Sequence, residues 1–133
     1  MLLNAAPRLQ LHIIDFEFAH LDHRATDLGQ MISDLLEKSY MFDSGISTRS
    51  NCEIMIQAFI KGYGAVTKNM AYRVIMHAGV HVINWCARHP DAEMRGKVEE
   101  MMRMAVEVIV RAWRQEQAGF DGGVLGCLFA RAT

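Results

Sequence analysis

The sequence predicts a mainly α-helical chain in which a short N-terminal β-hairpin leads into about four packed helices. Three observations carry that prediction. Apolar residues recur at three- and four-residue spacing over most of the chain after Thr26. Two short apolar runs near the N-terminus, residues 2–4 and 9–16, read as strands. Turn-forming or helix-closing residues break the helical pattern at "FDSGISTRSN", "GYG" and Pro90.

Residues 2–4 and 9–16 read as two strands around "AAPR", where Pro7 cannot donate to a ladder and marks the turn. Such a hairpin needs the helices as a platform, because two strands alone are barely stable in water. From Thr26 the period changes. Leu28, Met31, Ile32, Leu35 and Leu36 fall on one helical face, with Thr26 or Asp27 placed to cap the first turn. A second helix starts near Ser47 or Thr48, carries Ile54, Met55, Ala58 and Phe59, and ends near "GYG". A third runs from Asn69 to about His89, where Pro90 closes it.

The fourth helix begins at Asp91. Met94, Val98, Met101, Met102, Ala105, Val108, Ile109, Ala112 and Trp113 form its core face, and Glu99, Glu100, Arg103, Glu107, Arg111 and Arg114 its water face. The tail "AGFDGGVLGCLFARAT" is glycine-rich but strongly apolar, which predicts that it packs across the helices. No internal repeat or linker divides the chain, and its 133 residues make one domain, 1–133.

Composition bounds the function. Hydrophobic residues at 51% and charged residues at 22% describe a globular protein. A net charge of −1 with mixed signs leaves no basic stripe for nucleic acid. Three cysteines without CxxC spacing suggest neither a disulfide framework nor a zinc site. No run approaches the roughly 18 apolar residues of a membrane helix, and no signal peptide is evident, so a cytoplasmic protein is expected. Ten methionines fit a helical core, and a second reading of them is an adaptable binding surface.

Asp15 stands where the apolar run Leu11–Ile14 ends, and a carboxylate on a strand end offers oxygen to a hard cation. Glu17, two residues on, lies on the same side in extended backbone. Asp27, at a helix start, is explained by capping alone. His20, Asp22 and His23, with His12 nearby, could suggest a metal cluster, though a solvated loop is the favoured account. His77 and His81 share a helix face, as in HExxH sites, but Ala78 stands where that motif has Glu. Polar spots in a packed interface are therefore favoured there.

The stretch "HIIDFEFAHLDHRATDLGQMISDL" resembles the segment after the catalytic loop in the aminoglycoside phosphotransferase and choline kinase type of the protein-kinase-like superfamily, its fungal members above all. "FIKGYG", "MHAGVHVINW" and "GFDGGVLGCLF" are similar to the downstream helices and tail of those members, so the resemblance covers nearly the whole chain. It implies the C-terminal lobe of an ATP-dependent small-molecule kinase. By the resemblance, Asp15 is the Mg²⁺ ligand that bridges the ATP phosphates, and Asp27 is a structural brace of the active-site loops. The acceptor would be a small molecule bearing a hydroxyl.

These 133 residues hold no HGD motif, so no catalytic base is assigned, and an incomplete or inactive kinase is expected. A non-catalytic ligand- or protein-binding helical module is the alternative. A third reading makes Asp15 and Glu17 an acid/base pair of another enzyme. Exposed apolar surface near the hairpin and first helix is expected to drive self-association into a homo-oligomer.

Overall fold

The computed structural model describes residues 22–41, 46–88 and 92–130. Among the described residues four helices follow one another: α1 (Arg24–Met41), α2 (Ile46–Tyr63), α3 (Lys68–Ala87) and α4 (Arg95–Trp113). Two short 3-10 turns, Gln117–Gly119 and Val124–Leu128, follow α4. The described part is mainly helical, as the sequence predicts, and no strand occurs among the described residues. The expected hairpin, with Asp15 and Glu17, lies outside them.

Helix α1 starts earlier than the sequence suggests. Neither Thr26 nor Asp27 caps it: the imidazole of His23 accepts at Nδ1 from the Ala25 N–H at 3.1 Å, which places Asp27 inside the first turn. There its charge still complements the positive helix end. Arg24 joins this end of α1 to the far end of α2, with its guanidinium 2.5 Å from the Tyr63 hydroxyl and 5.0 Å from the ring centre.

Helix α2 ends as expected. Gly64 has φ +102, a left-handed conformation that glycine adopts without penalty, and its N–H reaches the Ile60 carbonyl at 3.2 Å. Its start is Ile46, so Ser47 and Thr48 lie within the helix. Its buried face corrects the sequence reading. Cys52, Ile56 and Ile60 are buried, whereas Ile54 and Met55 are more than half exposed and Ala58 is exposed. This helix is apolar on more than one side, so periodicity alone offers two stripes and only packing chooses.

Helix α3 is the central element, packed on both α1 and α4. Thr67 caps it by accepting the Met70 N–H at 3.2 Å. Two glycines allow the close packing. A Cβ on Gly29 of α1 would stand 2.6 Å from the His77 Cβ and 2.9 Å from both the Ala78 nitrogen and the Val74 carbonyl oxygen. A Cβ on Gly79 of α3 would stand 2.5 Å from Cγ1 of Ile109 on α4.

Helix α4 begins at Arg95 after a turn over 92–94, not at Asp91. Val98, Met101, Ala105 and Ala112 face the core, but Trp113 is 77% exposed. Position 113 is the last of the helix. Arg111, assigned to the water face, is half-buried and donates to the Gly119 carbonyl at 3.1 Å while pairing with Glu107. Met31 of α1 is likewise 44% exposed against expectation.

The core divides in two. Leu28, Ile32, Ile56, Ile75, Leu128 and Phe129 belong to the larger cluster, and Met41, Val82, Cys86, Val98, Met101 and Ala105 to the smaller. The tail packs over the helices as predicted. Phe129 lies 5.0 Å from the Tyr72 ring and stacks on Phe120 at 5.9 Å. Of the methionines described, Met41 and Met101 are buried, Met31 and Met55 are exposed, and the rest are half-buried at the edges of the packing.

Candidate functional site

Two constellations stand out, one apolar and one charged. The apolar one is a cavity of about 360 Å³ enclosed by all four helices and roofed by the tail. Ile56, Ile75, Val82 and Ala105 contribute apolar wall, Gly79 contributes backbone to it, and Phe120 and Leu125 close the top. Tyr40 and Glu53 are the lining residues with phenol and carboxylate side chains. Its size and apolar lining with few polar groups are those of a small-molecule pocket.

The cavity exists because α1 and α3 are held together by Gly29 and α3 and α4 by Gly79, while α2 contacts α1 and the tail. The tail then spans the remaining gap. Ser39, buried on α1 beside the cavity, is satisfied internally, its hydroxyl donating to the Leu36 carbonyl at 2.7 Å. The lining is thus left mostly apolar.

The charged constellation lies between α1 and α3. Asp34 and Glu37 are three residues apart and share a helix face, and His81 meets them from α3. His81 Nε2 is 3.3 Å from Asp34 Oδ1, and one donor atom from each of the three residues lies within 4.8 Å of the others. Asp34 and His81 are partly exposed, whereas Glu37 is 5% exposed and its Oε1 has no hydrogen-bond partner. Burial, then the neighbouring Asp34 carboxylate, pushes the Glu37 carboxyl up to about 7. The nearby Cys86 thiol is also raised, first by burial and then by the charge of Glu37.

Of the residues predicted from sequence, Asp27 sits exposed in the first turn of α1, directly before the buried Leu28 and Gly29. The "DLG" triplet therefore has a packing role here: Leu28 enters the core and Gly29 admits α3. His77 is exposed and His81 half-buried. His81 pairs with Asp34 instead of forming a site with His77. Asp15 and Glu17 are outside the described residues, and His23 serves as a helix cap.

Sequence reading missed Asp34 and Glu37. Their i, i+3 spacing was visible, but an acidic pair on a helix is ordinary until the crossing with α3 brings a histidine against it. The three cysteines are free, as their spacing suggested. Among the described residues no helix is long and apolar enough to cross a membrane. No protein-family model matches the chain, and neither does any curated protein or solved structure.

Proposed function

We propose that the chain is the helical C-terminal lobe of an aminoglycoside-phosphotransferase-like small-molecule kinase, and that its part is to hold the small-molecule acceptor in the interhelical cavity. The observation that carries this reading is the cavity itself, about 360 Å³, apolar in its walls with a few polar groups. The helical architecture and the buried Leu28–Gly29 pair after Asp27 are consistent with the resemblance of the sequence. In this reading ATP is the phosphoryl donor and Asp15 the Mg²⁺-binding carboxylate. The absence of an HGD motif confines the activity argued for this chain to binding.

One observation favours a second reading, a non-catalytic ligand-binding module derived from the same fold. The α1 residues that line the cavity begin at Leu36. At a rise of about 1.5 Å per residue, Leu36 is roughly 14 Å along the helix from Asp27. In the kinase reading Asp27 braces the active-site loops, so an acceptor in this cavity would have to extend toward that end of α1 to meet the phosphoryl group. Self-association belongs to either reading, since Met31, Ile54, Met55 and Trp113 expose apolar surface. Light scattering over a range of concentrations tests it.

Titration with N-phenyl-1-naphthylamine, a neutral apolar fluorophore, tests the cavity. Saturable one-site binding that is lost in Val108→Trp, a change at a half-buried lining position, supports a ligand pocket; no saturable binding overturns it. Calorimetry of Mg²⁺ and ATP beside an Asp15→Ala variant separates the two readings. Metal-dependent heat lost in the variant supports the kinase lobe, and probe binding without such heat supports the module.

A further inference from the structure

We propose that Asp34, Glu37 and His81 form a divalent-metal site of the zinc class that clamps α1 to α3. The site is separate from the cavity and independent of the kinase reading.

The geometry suits one ion. Zinc bonds of about 2.0–2.1 Å in tetrahedral coordination set neighbouring donors roughly 3.4 Å apart. The His81 Nε2 to Asp34 Oδ1 separation is 3.3 Å, and one donor atom from each of the three residues, a Glu37 carboxylate oxygen among them, lies within 4.8 Å of the other two. The two carboxylates and the imidazole come from well-formed helices held at close approach by Gly29.

The second observation is the state of Glu37 itself. Its Oε1 is fully buried and has no hydrogen-bond partner among the described residues. A buried carboxylate oxygen left without a donor is costly, whether the group is charged or neutral. An ion between Glu37, Asp34 and His81 supplies the missing partner. A simple His81–Asp34 ion pair does not, since that contact leaves Glu37 Oε1 as it is.

The donor set selects the ion. One imidazole nitrogen with two carboxylates suits Zn²⁺ and its neighbours Co²⁺ and Ni²⁺. Mg²⁺ and Ca²⁺ prefer oxygen alone. Two carboxylates offset the charge of a divalent ion. Partial exposure of Asp34 and His81 gives an entry path, and a fourth position stays open to water or a ligand atom.

The test uses the 133-residue chain freed of metal with a chelator and then titrated with Co²⁺ and Zn²⁺. Expected are one ion per chain, visible absorption from bound Co²⁺, and a rise in Tm with Zn²⁺. His81→Ala should weaken Zn²⁺ binding by about 100-fold or more, and Glu37→Gln, which keeps size and shape, by at least about tenfold. His77→Ala and His23→Ala should bind as the parent does. Circular dichroism establishes that each variant is folded, and Glu37→Gln decides the matter if His81→Ala is not. The proposal is overturned by the absence of saturable binding below about 100 μM. It is overturned equally if binding survives both His81→Ala and Glu37→Gln, which would assign the ion to other histidines.

Discussion

Gly29 of α1 and His77 of α3 approach so closely that a Cβ on the glycine would stand 2.6 Å from the Cβ of the histidine, with backbone atoms of Ala78 and Val74 at 2.9 Å. Backbone cannot swing aside as a side-chain tip can. Gly29→Ala should therefore destabilise the fold by about 3 kcal/mol, overriding the gain of about 1 kcal/mol in helix propensity. At Gly79 the nearest obstacle is the Ile109 side chain, so Gly79→Ala should cost about 1 kcal/mol. Urea denaturation of both variants checks the order, and equal losses would refute the distinction.

Glu37 gives the fold a pH dependence whose sign is opposite to that of a salt-bridged acid. Its carboxyl titrates near 7 in the folded chain against an ordinary 4.5, so between these values the folded state binds more protons than the unfolded one. The contribution is fully present below about pH 4.5 and is lost as pH rises through 7, by up to about 3 kcal/mol. With chelator present, Glu37→Gln should flatten this slope and exceed the parent in stability at pH 8. A parent and variant with parallel pH profiles would show that Glu37 is already solvated or paired.

Tyr72 and Gln115 fix the exit from α4. The Tyr72 hydroxyl, almost fully buried, donates to the Gln115 carbonyl at 2.8 Å, and Gln115 has φ +56. Tyr72→Phe should cost about 1 kcal/mol from the lost hydrogen bond. Gln115→Gly should be neutral or stabilising by up to about 1 kcal/mol, because glycine adopts that conformation freely. Thermal melts of the two variants are expected to move in opposite directions or, for the glycine variant, not at all.

Trp113 and Phe129 differ in consequence although both are large aromatics near the C-terminal side of the chain. Trp113→Ala should change stability by less than about 0.5 kcal/mol, since the ring is 77% exposed. Phe129→Ala removes the ring between Tyr72 and Phe120 and should cost about 3 kcal/mol. A large loss at Trp113 would mean that its ring is covered in solution by another molecule, a second copy of the chain among them.

Cys86 should be inert in the native protein. Its thiol is 3% exposed and held protonated by burial and by the neighbouring Glu37 charge. Labelling by a disulfide reagent at pH 8, followed by mass spectrometry of the Cys86 peptide, should run more than about 100-fold slower than in denaturant. Fast native labelling would contradict the packing of the smaller core cluster.

The sequence by itself determined the helical class, the number of helices in the described part, their approximate limits and the inward packing of the tail. Those properties are local: apolar spacing sets the period, Thr67 caps a helix, Gly64 ends one, and the tail's apolar residues need cover. It did not determine which side of α2 is buried, because Cys52, Ile56 and Ile60 compete with Ile54, Met55 and Ala58 on the same helix and only the neighbours α1 and the tail choose between them. Nor did it reveal the meeting of Asp34 and Glu37 with His81, or the cavity. Both depend on how closely and at what angle α1, α3 and α4 cross, and that is settled by Gly29 and Gly79 acting on partners some 30 to 50 residues away in the chain.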